Sequence, residues 1–177
     1  MLSDMEERTR WLILVYQLPR EPSRYRVAVW RKLRTLGAIY LQDGAVALPE
    51  DAVTREQLEW LQLRVREAGG AATPWEAKPA TLAEEKALVE AFRSSREEAY
   101  ANIISEAERV RRKAMMGGGK ALGEELGRLE RELRAERRRD YFRSPLRKEA
   151  ASALKAAREA IRESARPEEG IGSGSRD

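Results

Sequence analysis

The 177-residue chain contains no cysteine and no histidine. Disulfides, thiol nucleophiles, structural zinc and histidine acid–base chemistry are therefore excluded, and only carboxylates remain as side-chain metal ligands. Aromatic residues make up 6% of the sequence, so the position of each bears on where the core lies. No apolar run approaches the roughly 20 residues needed to cross a bilayer. The start, MLSDMEERTR, lacks the apolar segment of a secretory signal. A cytoplasmic protein without membrane association is expected. A serine in a strained strand-to-helix turn is absent, and so is a phosphate-cradling loop. Gly117-Gly118-Gly119-Lys120 has a lysine after glycines but lacks the preceding strand and the spacing of that motif. The sequence thus reads as a non-enzyme that needs neither cofactor nor metal.

Charge is plentiful. It amounts to 36% of residues, with 34 basic against 30 acidic side chains and a net charge of +4. So mild an excess permits a nucleic-acid or acidic partner without requiring one.

Residues 11–50 organise the rest. Trp11-Leu-Ile-Leu-Val-Tyr16 is a short apolar run rich in β-branched and aromatic residues, the pattern of a buried strand. Pro19 stops it, having no N–H for a ladder. Pro22 and Ser23 open a helix over 23–36 in which Val27, Trp30, Leu33 and Leu36 are expected to share the core-facing side. Gly37 takes the left-handed position after the helix. Ala38–Gln42 and Ala45–Leu48 flank Asp43-Gly44, a hairpin turn pair. Thr54 is placed to cap a helix from Arg55 to Ala68, with Leu58, Leu61 and Val65 inward and Trp60 beside them. Gly69-Gly70 ends that helix. A strand over 71–77 then carries Pro74, which suits an edge. The order is β-α-β-β-α-β, a ferredoxin-like unit in the α+β class. Trp30, Trp60 and Trp75 are all expected in its core.

Composition changes at Lys78-Pro79-Ala80, and Thr81-Leu-Ala-Glu84 has the spacing of a capping box. A long helix follows with Val89, Phe92, Ala99 or Tyr100, Ile103, Ala107, Val110 and Ala114 in a stripe that only Arg96 interrupts. At 1.5 Å per residue it would run roughly 50 Å. A second helix turns Leu122, Leu126, Leu129 and Leu133 inward, and Asp140-Tyr-Phe142 interrupts the pattern as an aromatic corner plug. Ser144-Pro145 starts a third helix through Ala150, Leu154, Ala157 and Ile161. The expected organisation is a ferredoxin-like domain at 1–79, a three-helix extension at 80–166 and a disordered Gly/Ser-rich tail at 167–177. The three stripes suit helical hairpins packed together or over the sheet. A dimerising coiled coil, giving a homodimer, is the alternative.

The best candidate for a binding surface is the first helix. Arg20, Arg24, Arg26, Arg31, Lys32 and Arg34 stand against the single carboxylate Glu21. Guanidinium groups pair with phosphates and supply affinity more than sequence reading. A solvated helix of an arginine-rich protein would also look like this. A secondary basic patch would form from Arg109, Arg111, Arg112 and Lys113 with Arg137, Arg138 and Arg139 if the helices bring those groups together. A charged helix end suiting the dipole is the plainer account.

Tyr16-Gln-Leu-Pro-Arg-Glu-Pro-Ser23, Arg26-Val-Ala-Val-Trp-Arg-Lys-Leu33, Leu36-Gly-Ala and Tyr40-Leu-Gln-Asp-Gly44 closely resemble the N-terminal domain of ChrB, a regulator of chromate resistance. A weaker likeness continues through Gly69-Gly70 and Trp75 to Arg139-Asp-Tyr-Phe142. The resemblance implies a DNA-binding regulatory protein linked to chromate resistance. Members of that family carry a further domain associated with the chromate response. This chain is accordingly expected to stand alone, with chromate sensing left to a separate domain or protein. A more distant similarity is to PaaX-type repressors and ferredoxin-like CRISPR-associated nucleases. The nuclease pattern places a metal-binding aspartate where this chain has Gln17. A neutral amide cannot offset a divalent cation as a carboxylate does, so metal-dependent cleavage is not expected.

Overall fold

The computed structural model describes residues 9–117 and 121–165. The expected tail at 167–177 lies outside them. The elements run β1 (Trp11–Gln17), α1 (Ser23–Leu36), β2 (Ile39–Gln42), β3 (Ala45–Pro49), α2 (Ala52–Glu67), β4 (Ala71–Ala77), α3 (Leu82–Met115), α4 (Ala121–Arg138) and α5 (Leu146–Ser164). The four strands form one antiparallel sheet in the order β2-β3-β1-β4. That is the ferredoxin-like α+β arrangement, followed by three helices. Two compact units result. The first comprises residues 9–96 with Arg137–Ser144, and the second comprises Glu97–Glu136 with residues 145–165.

In the first unit β1 lies between β3 and β4, with Leu14 opposite both Val46 and Pro74. β1 is apolar from Trp11 to Val15, and β3 is apolar and buried along its whole length. Pro74 stands on the edge strand β4, where its missing N–H breaks no ladder. Alternate residues of β1 point to opposite faces. Leu12 and Leu14 join Val29, Leu33, Leu58, Leu61 and Val65 in the core, while Trp11 stacks on Phe92 and Phe142 with ring centroids 5.5 and 5.8 Å away.

Local signals set the boundaries. Gly37 (φ +72°) ends α1, with its N–H on the Arg34 carbonyl and the Ala38 N–H on that of Leu33. This pair of bonds satisfies carbonyls that would otherwise lack partners. Asp51, one turn before the expected start, caps α2. Its carboxylate accepts from the Thr54 N–H (2.7 Å), and the Thr54 hydroxyl accepts from the Asp51 N–H (2.9 Å). Thr81 and Glu84 form the corresponding reciprocal pair before α3.

Three tryptophans depart from expectation. Trp30, Trp60 and Trp75 are 44%, 56% and 58% exposed, whereas Trp11 is fully buried. In α1 the buried stripe is Val29 and Leu33, with Leu36 at its end, instead of Val27, Trp30 and Leu33. Steps of four and three hold one face of a 3.6-residue helix, whereas two successive steps of three drift backward by about 60° per step. Val27 and Trp30 therefore turn toward solvent. Trp75 sits on an edge strand, and no element covers its outer side among the described residues.

The second unit has its own core. Tyr100, Ile103, Ala107, Val110 and Ala114 from α3 meet Leu122, Leu126, Leu129 and Leu133 from α4 and Ala150, Leu154, Ala157 and Ala160 from α5. From Tyr100 onward the apolar stripes of the three helices are used inside the unit. Arg96, the break in the α3 stripe, is the last residue that this helix gives to the first unit.

Candidate nucleic-acid interface

The six candidate cations occupy one exposed segment. Arg20 precedes α1, and Arg24, Arg26, Arg31, Lys32 and Arg34 project from it, all exposed. Among the described residues none of the six is ion-paired with a carboxylate. Some other arginines are matched. Arg55 bridges Glu50 and Glu76, and Arg109 bridges Glu106 and Glu125. The one nearby acid, Glu21, accepts from the Ser23 N–H at 3.2 Å and so occupies the electropositive helix start. Two cations lie over rings, Arg24 over Tyr25 at 5.0 Å and Arg34 over Trp30 at 5.3 Å. Charge of one sign is thus held on a rigid element.

The secondary patch is organised differently. Arg109 faces Glu125 near the start of α4, and Lys113 lies 3.8 Å from the same carboxylate. The hydrogen bond from Arg109 holds the Glu106 carboxyl below its ordinary range. Arg111 and Arg112 are exposed on α3. Arg137 and Arg138 close α4. The hairpin of α3 and α4 matches Arg109 with acids near the turn.

Arg139 belongs to the α1 surface. Its guanidinium donates to the Arg34 carbonyl (2.9 Å), and the Tyr141 hydroxyl donates to the Leu36 carbonyl (2.7 Å). Both bonds reach across 105 residues of sequence to carbonyls at the end of α1, the end at which cationic donors are favoured. A methyl group at Gly37 would come within 2.9 Å of the Arg139 Cβ. Phe142 and Tyr141 pack on Phe92 at 5.7 and 6.0 Å. The Arg139–Phe142 segment therefore holds the last turn of the basic helix, a role that spacing along the chain did not reveal.

Tyr141 makes this support sensitive to alkali. Burial, with the Asp51 charge adding to it, pushes its phenol up to about 12 from the ordinary 10. A raised folded-state pKa means that stability is complete below about pH 10 and falls as pH climbs toward 12, because the unfolded chain loses the proton first. Urea midpoints followed from pH 8 upward should show that decline. Tyr141→Phe should make it shallower while losing about 1 kcal/mol at neutral pH with the hydrogen bond. An unchanged slope in that variant would remove Tyr141 from the account. Tyr16, also raised by burial and by its bond with Tyr40, contributes with the same sign, so some slope should persist.

Gln17 is exposed at the end of β1. Among the described residues no cluster of three acidic side chains is placed to hold a metal ion, and no helix is long and apolar enough to cross a membrane.

Residues 26–167 match the family model described as "Protein ChrB, N-terminal". The chain is also similar to Protein ChrB of Cupriavidus metallidurans, 43% identical over 53 residues. That alignment covers 30% of this chain and 16% of the relative, so most of the relative lies outside it. No solved structure matches the chain.

Proposed function

The chain belongs to the ChrB N-terminal family, and from that premise we propose that it is a regulatory protein associated with chromate resistance that binds DNA through α1. The observation carrying this reading is the row of cations from Arg20 to Arg34 without carboxylate partners among the described residues. Outside residues 20–34 basic and acidic residues nearly balance in number, so the chain's small net excess is concentrated on this segment. Phosphate oxygens would complete these groups, and a rigid α-helix presents them in fixed register. The bonds from Arg139 and Tyr141 keep the far end of that helix in place.

The test is fluorescence anisotropy on duplex DNA from the gene's own upstream region, with a scrambled duplex as control, at two salt concentrations and with or without chromate. Tighter binding to the native duplex supports a regulator, and release by chromate would add sensing. Reversing Arg24, Arg31 and Arg34 to glutamate should weaken binding by about 100-fold or more at low salt. It should also flatten the salt dependence by about 0.9 in log–log slope for each phosphate that the variant no longer neutralises. An unchanged slope would exclude this face.

A further inference from the structure

We infer that the groove between α1 and α2 binds an unstacked nucleobase, so that the nucleic acid taken by this face is single-stranded or locally opened. This rests on the reading of α1 as a nucleic-acid surface and adds the class of nucleic acid. The groove encloses about 710 Å³. Tyr25 and Lys32 line it from α1, and Trp60 and Arg64 line it from α2, over a floor that includes Val29 and Leu61. Tyr25 is 37% and Trp60 56% exposed, in a chain with only four tryptophans. The spacing that buries Leu58, Leu61 and Val65 brings Trp60 and Arg64 onto the adjoining flank of α2, facing α1.

Two demands meet in this groove. Exposed rings call for a flat apolar face, and the unpaired cations beside them call for anions. A protein segment that filled the groove with apolar side chains would leave Lys32, Arg64 and the neighbouring Arg24 and Arg31 unanswered. The acid among the lining residues is Glu67. A nucleic-acid strand answers both demands, since every base has a π-face and every linkage a charge. In a continuous duplex those faces are covered by neighbouring bases, and a side chain in a groove between helices cannot reach them. Arg24, 5.0 Å over the Tyr25 ring, adds a cation to the stacking platform.

The experiment compares anisotropy of a fluorescein-labelled oligothymidylate with that of a duplex of the same length, using the full chain and three variants. Trp60→Ala should weaken the single strand by about tenfold or more, as removal of one stacking ring does, and leave the duplex unchanged. Trp60→Phe, which keeps a ring, should recover most of the loss. The charge-reversed α1 variant should lose both probes. Because Trp60 is a half-exposed side chain, its truncation leaves the core intact. If Trp60→Ala binds both probes like the parent while charge reversal abolishes both, the base site is excluded and the α1 reading stands. If the parent binds neither probe at low salt, both readings fall. A change of mass by light scattering in Trp60→Ala, without a change in binding, would make the groove a protein contact and overturn the inference.

Discussion

Trp11→Ala is expected to cost about 3–5 kcal/mol, a large share of the 5–15 kcal/mol that holds a typical domain folded. Trp11 is fully buried at the start of the central strand, and its ring meets Phe92 at 5.5 Å and Phe142 at 5.8 Å. Removing it opens a cavity beneath two aromatic rings that come from separate segments, so the site cannot collapse easily. Among the described residues, however, the indole N–H has no hydrogen-bond partner. An orphaned buried donor costs about 1–3 kcal/mol, so Trp11→Phe removes that penalty while sacrificing part of the packing. The phenylalanine variant should therefore stay much closer to the parent than the alanine variant. Urea unfolding followed by far-UV circular dichroism suits the comparison, because both variants lack the Trp11 indole and the other three tryptophans are exposed. Equal losses in the two variants would mean that the cost lies in the indole and not in the cavity.

Gly70→Ala is expected to lose stability at or beyond the upper end of the roughly 1–3 kcal/mol typical of overpacking. A Cβ there would lie 2.3 Å from the Gln17 carbonyl oxygen, 2.9 Å from a Val65 methyl and 3.0 Å from the Val65 carbonyl oxygen. Two of these three atoms are backbone, so no rotamer change relieves the clash. Gly70 also donates its N–H to Val65 (2.9 Å) and Gly69 donates to Arg66 (2.9 Å), the double bond that ends a helix through a left-handed residue. Displacing Gly70 therefore disturbs the exit of α2 and its return beside β1 together. Thermal and urea denaturation of the variant would measure this. A change within about 0.5 kcal/mol, the scale of ordinary surface substitutions, would show that the strand ends adjust freely.

The two substitutions differ in how far the sequence foretold them. Gly70 is legible as a helix stop, although the closeness of Gln17 is not, since it depends on how β1 and β4 pair. Trp11 lies in an apolar run and reads as buried. Trp30 and Trp60 also lie beside apolar stripes and read the same way, yet both face solvent. Around α1, Val27-Trp30-Leu33 and Val29-Leu33-Leu36 are both apolar series, and three-residue steps alone do not select between them. Contact with the sheet selects the second. The candidate site divides similarly. The cations of α1 are visible in the sequence because they cluster within fifteen residues or so, about four turns of helix. Their lack of carboxylate partners is not visible, because Glu50, Glu76 and Glu125 pair with other arginines only after the chain has folded.

By itself the sequence determined the order of elements and most of their ends. Gly37, Asp43-Gly44, Thr81 with Glu84 and the α4 stripe of leucines all act within a few residues, through left-handed φ, turn geometry, capping bonds and helical period. Those interactions are local and leave their signature at fixed spacing. The tertiary structure alone decided which tryptophans are covered and which basic groups remain unpaired. It also decided that Arg139 and Tyr141 hold the end of α1 across 105 residues. Such contacts depend on surfaces that exist only once the elements have packed, and no periodicity along the chain records which surface a side chain will meet.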